Sequence, residues 1–155
     1  MHPLIQIAFS VLIVLQFLAV TLHDWLHIPG WTHGRQVQSQ FGVGKFALIS
    51  LANGIFPGIA VAFIFLYRTG PKPSFVANYW VIYCAITVVS AVMMWWVPYF
   101  FGTDRKQEQL YQAMYAGTIH VLPARGENPR PNLLHICFHA LFLLTLCLAI
   151  MLRAS

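Results

Sequence analysis

His23 and His27 lie four residues apart in the segment LHDWLHIPG, and His135 and His139 repeat that spacing in NLLHICFHALFLLTLCLAIML. On a helix, residues four apart share one face. Neutral imidazole is the commonest side-chain ligand for zinc, copper, nickel and non-haem iron. Two HxxxH pairs on neighbouring antiparallel helices would form a two-by-two array, with rungs roughly 6 Å apart along the helix axis. The deeper His23 would then face His139, and the shallower His27 would face His135. His120 is a spare ligand or proton carrier, and Asp24 or Glu127 could orient a ring from behind. The HExxH glutamate of zinc proteases is missing, so hydrolytic zinc chemistry of that kind is not supported. Haem b, with one axial histidine from each helix such as His23 and His139, is the other cofactor reading. The plain alternative is four imidazoles that hydrogen-bond to headgroups, water or loop carbonyls. None of these patterns names a reaction or a catalytic residue.

The elements that must carry these residues follow from where charge is absent. Hydrophobic residues make up 59% of the 155 and charged residues 8%, whereas soluble chains carry roughly 25% charged residues. No formal charge stands before Asp24, between Lys45 and Arg68, between Lys72 and Asp104, or between Arg130 and Arg153. Each gap holds an apolar run of about 20 residues, the length of a membrane span. Helices satisfy their own backbone hydrogen bonds in hydrocarbon. The expected fold is therefore all-α: a single polytopic membrane domain over 1–155. Its spans are expected at about Leu4 to Ile28, Lys45 to Tyr67, Phe75 to Phe101 and Asn132 to Leu152. They form an up-and-down bundle in which the first and last helices are neighbours. The first run has no basic leader and no small-residue cleavage pattern, so it reads as a retained span rather than a signal peptide.

Within helix one, Gln16, His23 and His27 fall in a narrow arc, a polar stripe on an apolar rod. Pro29-Gly30 is expected to stop this helix. The segment Gly30 to Gly44 reads as a polar loop with a solvated His33. Helix two carries Pro57, which should bend it, and Gly54 and Gly58, a small-xxx-small pair suited to close helix approach. Arg68 to Ser74 is a short turn. Trp95 and Trp96 belong to an aromatic belt at the end of helix three. Residues 104–116 form a short amphipathic helix at the membrane interface, capped by Thr103, with Gly117 available to end it. Asn132 caps the last helix. Cys84, Cys137 and Cys147 lie inside helices and are expected as buried thiols, with Cys84 and Cys147 at similar depth.

The net charge of +5 is spread over loops. It suits anionic headgroups and no nucleic acid. Arg125 and Arg130 in ARGENPRPN, beside Trp95 and Trp96, make a second candidate site, for a lipid headgroup or small amphiphile. Arg35, Lys45, Arg105, Lys106, Arg125 and Arg130 share the histidine end, against Arg68, Lys72 and Arg153 at the other, which places the histidine end in the cytoplasm.

WWVPYFFG, from Trp95 to Gly102, followed by LPARGENPRPNLLHICFH, from Leu122 to His139, resembles a group of small bacterial four-helix integral membrane proteins. The resemblance covers Trp95 to His139 and does not reach the HDWLH segment. It implies the four-helix fold and the bacterial cytoplasmic membrane, and it implies no activity. Three classes of function follow. The first is a metal or cofactor site at the histidines. The second is a headgroup or amphiphile binder at the arginine loop. The third is an auxiliary subunit, as a homo-oligomer or in a larger membrane complex, docking through its GxxxG face and amphipathic helix.

Overall fold

The computed structural model describes residues 3–68 and 72–154. Part of the turn expected over 68–74, residues 69–71, falls outside the described residues. Four helices are long and apolar enough to cross a membrane: Pro3–Trp25, Val43–Leu66, Ser74–Phe101 and Leu133–Ala154. In chain order the elements are α1 (Pro3–Leu22), a 3-10 turn (His23–Trp25), β1 (His27–Ile28), β2 (Thr32–His33), α2 (Gly34–Phe41) and α3 (Val43–Leu66). Then follow α4 (Ser74–Ala91), a π-helical segment (Val92–Trp96), α5 (Val97–Phe101), α6 (Arg105–Tyr115) and α7 (Leu133–Ala154).

The first helix ends earlier than its hydrophobicity suggests, and the cause is local. A residue before proline is pushed to extended backbone. Pro29 and Gly30 (φ 76°) sit at the centre of a turn closed by Trp31 N–H donating to Ile28 C=O at 2.9 Å. That is proline at the second turn position and glycine at the third, as a type II turn requires. The turn folds His27–Ile28 back on Thr32–His33 as a small antiparallel hairpin. Thr32 Oγ1 accepts from Ile28 N–H at 3.0 Å and donates to Leu26 C=O at 2.6 Å, which locks the extended backbone. His27 therefore lies on a strand, opposite His33, and not on the helical face of His23.

The expected loop over Gly30 to Gly44 is in fact the hairpin and α2. Val37 on α2 is buried with Phe46 and Met114, and Phe41, Leu110 and Tyr115 pack around them, so α2 and α6 form a second small core. Asp104, rather than Thr103, caps α6, its Oδ1 accepting from Gln107 N–H at 3.0 Å. Asn132 caps α7 as expected, Oδ1 accepting from His135 N–H at 2.9 Å.

The long helices touch through small residues. A Cβ on Gly54 would stand 3.1 Å from Thr21 Oγ1, and one on Gly58 would stand 3.6 Å from Phe17. Thr21 and Phe17 of α1 thus lie against the GxxxG pair. Trp80 on α4 donates to Ala60 C=O on α3 at 3.3 Å and packs on Phe9 of α1, centroids 5.0 Å apart. Together with Ile13, Val76, Cys84 and Ala149 they make the main core. Arg153 Nε donates to Asn78 Oδ1 at 2.6 Å, tying α7 to α4 at that end. The outer faces are apolar, with Leu48, Phe65 and Leu66 among the exposed side chains. Cys84 is buried, but Cys137 and Cys147 are exposed on α7, and all three are free. The expected burial of those two thiols fails because their side of α7 faces away from the other helices.

Candidate functional site

Of the five proposed histidine ligands, three converge. The His23 and His135 rings stand 5.8 Å apart, and those of His135 and His139 6.3 Å. The ring order is therefore His23, His135, His139, and the facing pairs expected from the helix register do not form. His27 instead meets His33, 5.4 Å away in the hairpin. His120 is held by Thr118 Oγ1 at 3.4 Å and Tyr115 C=O at 3.3 Å through Nε2. Among the described residues no group of three or more His, Cys, Asp or Glu side chains is placed to hold a metal ion.

The π-helical segment sets the next layer. A π turn inserts an extra residue and re-aims the side chains around it. Here successive tryptophans both reach α7: Trp95 lies over His135 with centroids 3.8 Å apart, and Trp96 Nε1–H donates to His139 Nδ1 at 3.0 Å. Both indoles, expected as an aromatic belt at the end of helix three, thus make contact with α7. No feature of the sequence VMMWWVP distinguishes a π turn from regular helix.

Hydrogen-bond partners fix where the protons sit. Asn132 Oδ1 already accepts from His135 N–H, so it also accepts from His135 Nδ1–H at 2.7 Å. Neutral His135 then presents a bare Nε2. Indole N–H can only donate, so His139 Nδ1 is an acceptor and its proton is on Nε2. His23 Nδ1 donates to Ala19 C=O at 2.8 Å, and its Nε2 faces Asp24 Oδ1 at 3.2 Å.

These groups stand at one end of a cavity of about 790 Å³ that α1, α3, α4, α6 and α7 all line. Ala52, Asn53 and Phe56 on α3 and Ile82, Ile86 and Ser90 on α4 line it and are exposed, so it opens sideways between α3 and α4. The ring contacts and hydrogen bonds between these two helices run from Phe56 and Tyr79 to Phe63 and Phe75, away from the histidine end. Tyr111, Met114 and Tyr115 of α6 close the histidine end. Tyr111 O–H donates to Met94 C=O at 2.6 Å. Burial pushes both phenols up from their ordinary pKa, and the Asp24 charge adds to this at Tyr115, so both stay protonated. The sequence marked this segment only as an amphipathic helix and singled out neither tyrosine as a site residue.

The arginine loop is built differently. Arg125 lies over the rings of Tyr99 and Phe100, at 5.3 and 4.9 Å, and Arg130 Nη1 donates to Leu122 C=O at 3.4 Å. Asn128 Nδ2 donates to Tyr99 C=O at 3.0 Å, and Tyr99 O–H to Pro123 C=O at 3.1 Å. These contacts pin the loop to α5, and neither arginine lines the cavity. No protein-family model, no curated protein and no solved structure matches this chain.

Proposed function

We propose that this chain is a multi-pass membrane protein that takes a small amphiphile from the bilayer into the cavity between α3 and α4. In this reading the four long helices cross the membrane as an up-and-down bundle. The α2–α6 layer lies at the interface on the histidine side, and the distribution of Lys and Arg puts that side in the cytoplasm. The resemblance over Trp95 to His139 supports a bacterial cytoplasmic membrane. The observation that carries the function is the cavity itself. Its volume falls in the range of small-molecule sites, roughly 300–1,000 Å³. Its walls are mostly apolar, with Asn53, Tyr79, Thr87 and Ser90 along them and the histidines and Asp24 at one end. A sideways opening between apolar helix faces admits a molecule already dissolved in lipid. The pinned arginines support a structural role for the 122–132 loop rather than a headgroup site.

The test is to purify the protein in a mild detergent and identify co-purified amphiphiles by mass spectrometry, beside a Ser90→Trp variant. Ser90 is exposed at the cavity mouth, so an indole there fills the opening without entering the core. The expected result is an amphiphile enriched over bulk lipid in the native protein and lost, by about tenfold or more, in Ser90→Trp. Equal lipid profiles in both, matching the bulk membrane, would overturn the proposal.

A further inference from the structure

The geometry points to a neutral head bearing a hydroxyl as the ligand's polar end, seated between His139 and His135; this rests on the amphiphile reading above. His139 offers a donor at Nε2, because Trp96 N–H occupies its Nδ1. His135 offers an acceptor at Nε2, because its Nδ1–H is spent on Asn132. Neither Nε2 has a hydrogen-bond partner among the described residues, and both residues line the cavity. A hydroxyl oxygen is the group that accepts from one side and donates to the other. It needs about 2.8 Å to each nitrogen, and ring centroids 6.3 Å apart leave room for one such oxygen between them.

Charge at the site points the same way. The lining contains no lysine and no arginine, so an anionic head would meet no fixed cation. Asp24, the one carboxylate in the lining, already faces His23, Oδ1 to Nε2 at 3.2 Å. The remaining titratable groups that face the two rings are Tyr115 and His120, beside Tyr111, and both tyrosines stay protonated. A cationic head would have to separate Asp24 from His23, and an anionic one would leave its charge unpaired beside aromatic walls. Trp96 is a positioning residue here: it acts on the ligand only through the tautomer of His139.

The experiment uses the full chain in lipid nanodiscs with ¹⁵N-labelled imidazoles, titrated with dodecanol, dodecanoate or dodecyltrimethylammonium. Nitrogen shifts should assign His135 as the Nδ1–H and His139 as the Nε2–H tautomer, and dodecanol should move both signals saturably. Dodecanol should bind about tenfold or more tightly than either charged analogue, one buried hydrogen bond or unpaired charge being of that size. Trp96→Phe should release the His139 tautomer and weaken dodecanol by about fivefold or more, whereas His139→Gln, whose amide N–H replaces the Nε2 donor, should retain most of the affinity. Dodecanoate or dodecyltrimethylammonium binding as tightly as dodecanol, or a Trp96→Phe variant with unchanged affinity, would overturn the hydroxyl head while leaving the cavity site standing. Failure of all three probes to bind saturably, or binding unaffected by Ser90→Trp, would overturn the amphiphile reading itself.

Discussion

The two ends of the bundle are made from different side chains. Around Trp80 the helices meet through Ala60, Val76, Cys84 and Ala149, all at 3% exposure or less, and the cavity beside Trp80 and Phe9 is about 380 Å³, against about 790 Å³ at the other end. Around His135 they are held apart by Trp95, Tyr115, Phe138 and Phe142, and the space between α3 and α4 stays open. In lipid there is little hydrophobic drive to close a gap between helices, so small residues that permit contact decide where contact forms. Large rings braced against histidines decide where it does not. The difference teaches that the open end is built rather than left over: its spacers are hydrogen-bonded or stacked, as Trp96 is to His139 and Trp95 over His135.

Glycine and alanine substitutions break this contrast in graded steps. Gly34 joins the hairpin to α2 at the open end, and a Cβ there would stand 2.6 Å from Leu26 O and 2.7 Å from Asp24 O. Backbone on both sides cannot yield, so Gly34→Ala should cost about 3 kcal/mol or more. In a denaturant titration it should unfold earliest of the variants named here. Ala60→Leu forces a larger side chain against Trp80 at the closed end and should cost about 1–3 kcal/mol. Its amphiphile content, measured on the folded fraction, should stay native, because Ala60 does not line the open cavity. If Ala60→Leu empties the cavity, the two ends are not independent. Gly44 has nothing within 4 Å of a built Cβ and lies near the start of α3. Gly44→Ala should be neutral or stabilise by up to about 1 kcal/mol, read as a later midpoint in the same titration.

The spans were legible because charge is missing in blocks, and the structure places helices over all four runs. Asn132 was legible as a cap because a short polar side chain ahead of an apolar run has few other uses. His27 was not legible as a strand residue, since its spacing from His23 fits a helix and only the Pro29-Gly30 turn overrides it. The signal was present: Ile28 precedes proline, and Thr32 stands where its hydroxyl can bridge the hairpin. The α2 helix hid in a glycine-punctuated stretch, although Val37 and Phe41 lie four apart on its buried side. The pairing of Trp95 and Trp96 with the α7 histidines depends on a π turn and on contacts far apart in sequence. No local pattern encodes it. The histidine spacing paired His23 with His139, whereas His135 is the ring that stands near both, and it could not tell which nitrogen of each ring was already spoken for.

The central claim is that a bilayer amphiphile enters between α3 and α4. The most direct test is a long-chain alcohol carrying a photoreactive group in its chain, activated in nanodiscs, with labelled residues mapped by mass spectrometry. Labels should concentrate on Phe56, Ile82 and Ile86, be competed by unmodified dodecanol and be lost in Ser90→Trp. Labels spread evenly over outward residues such as Leu48 and Phe65, with no competition, would contradict it.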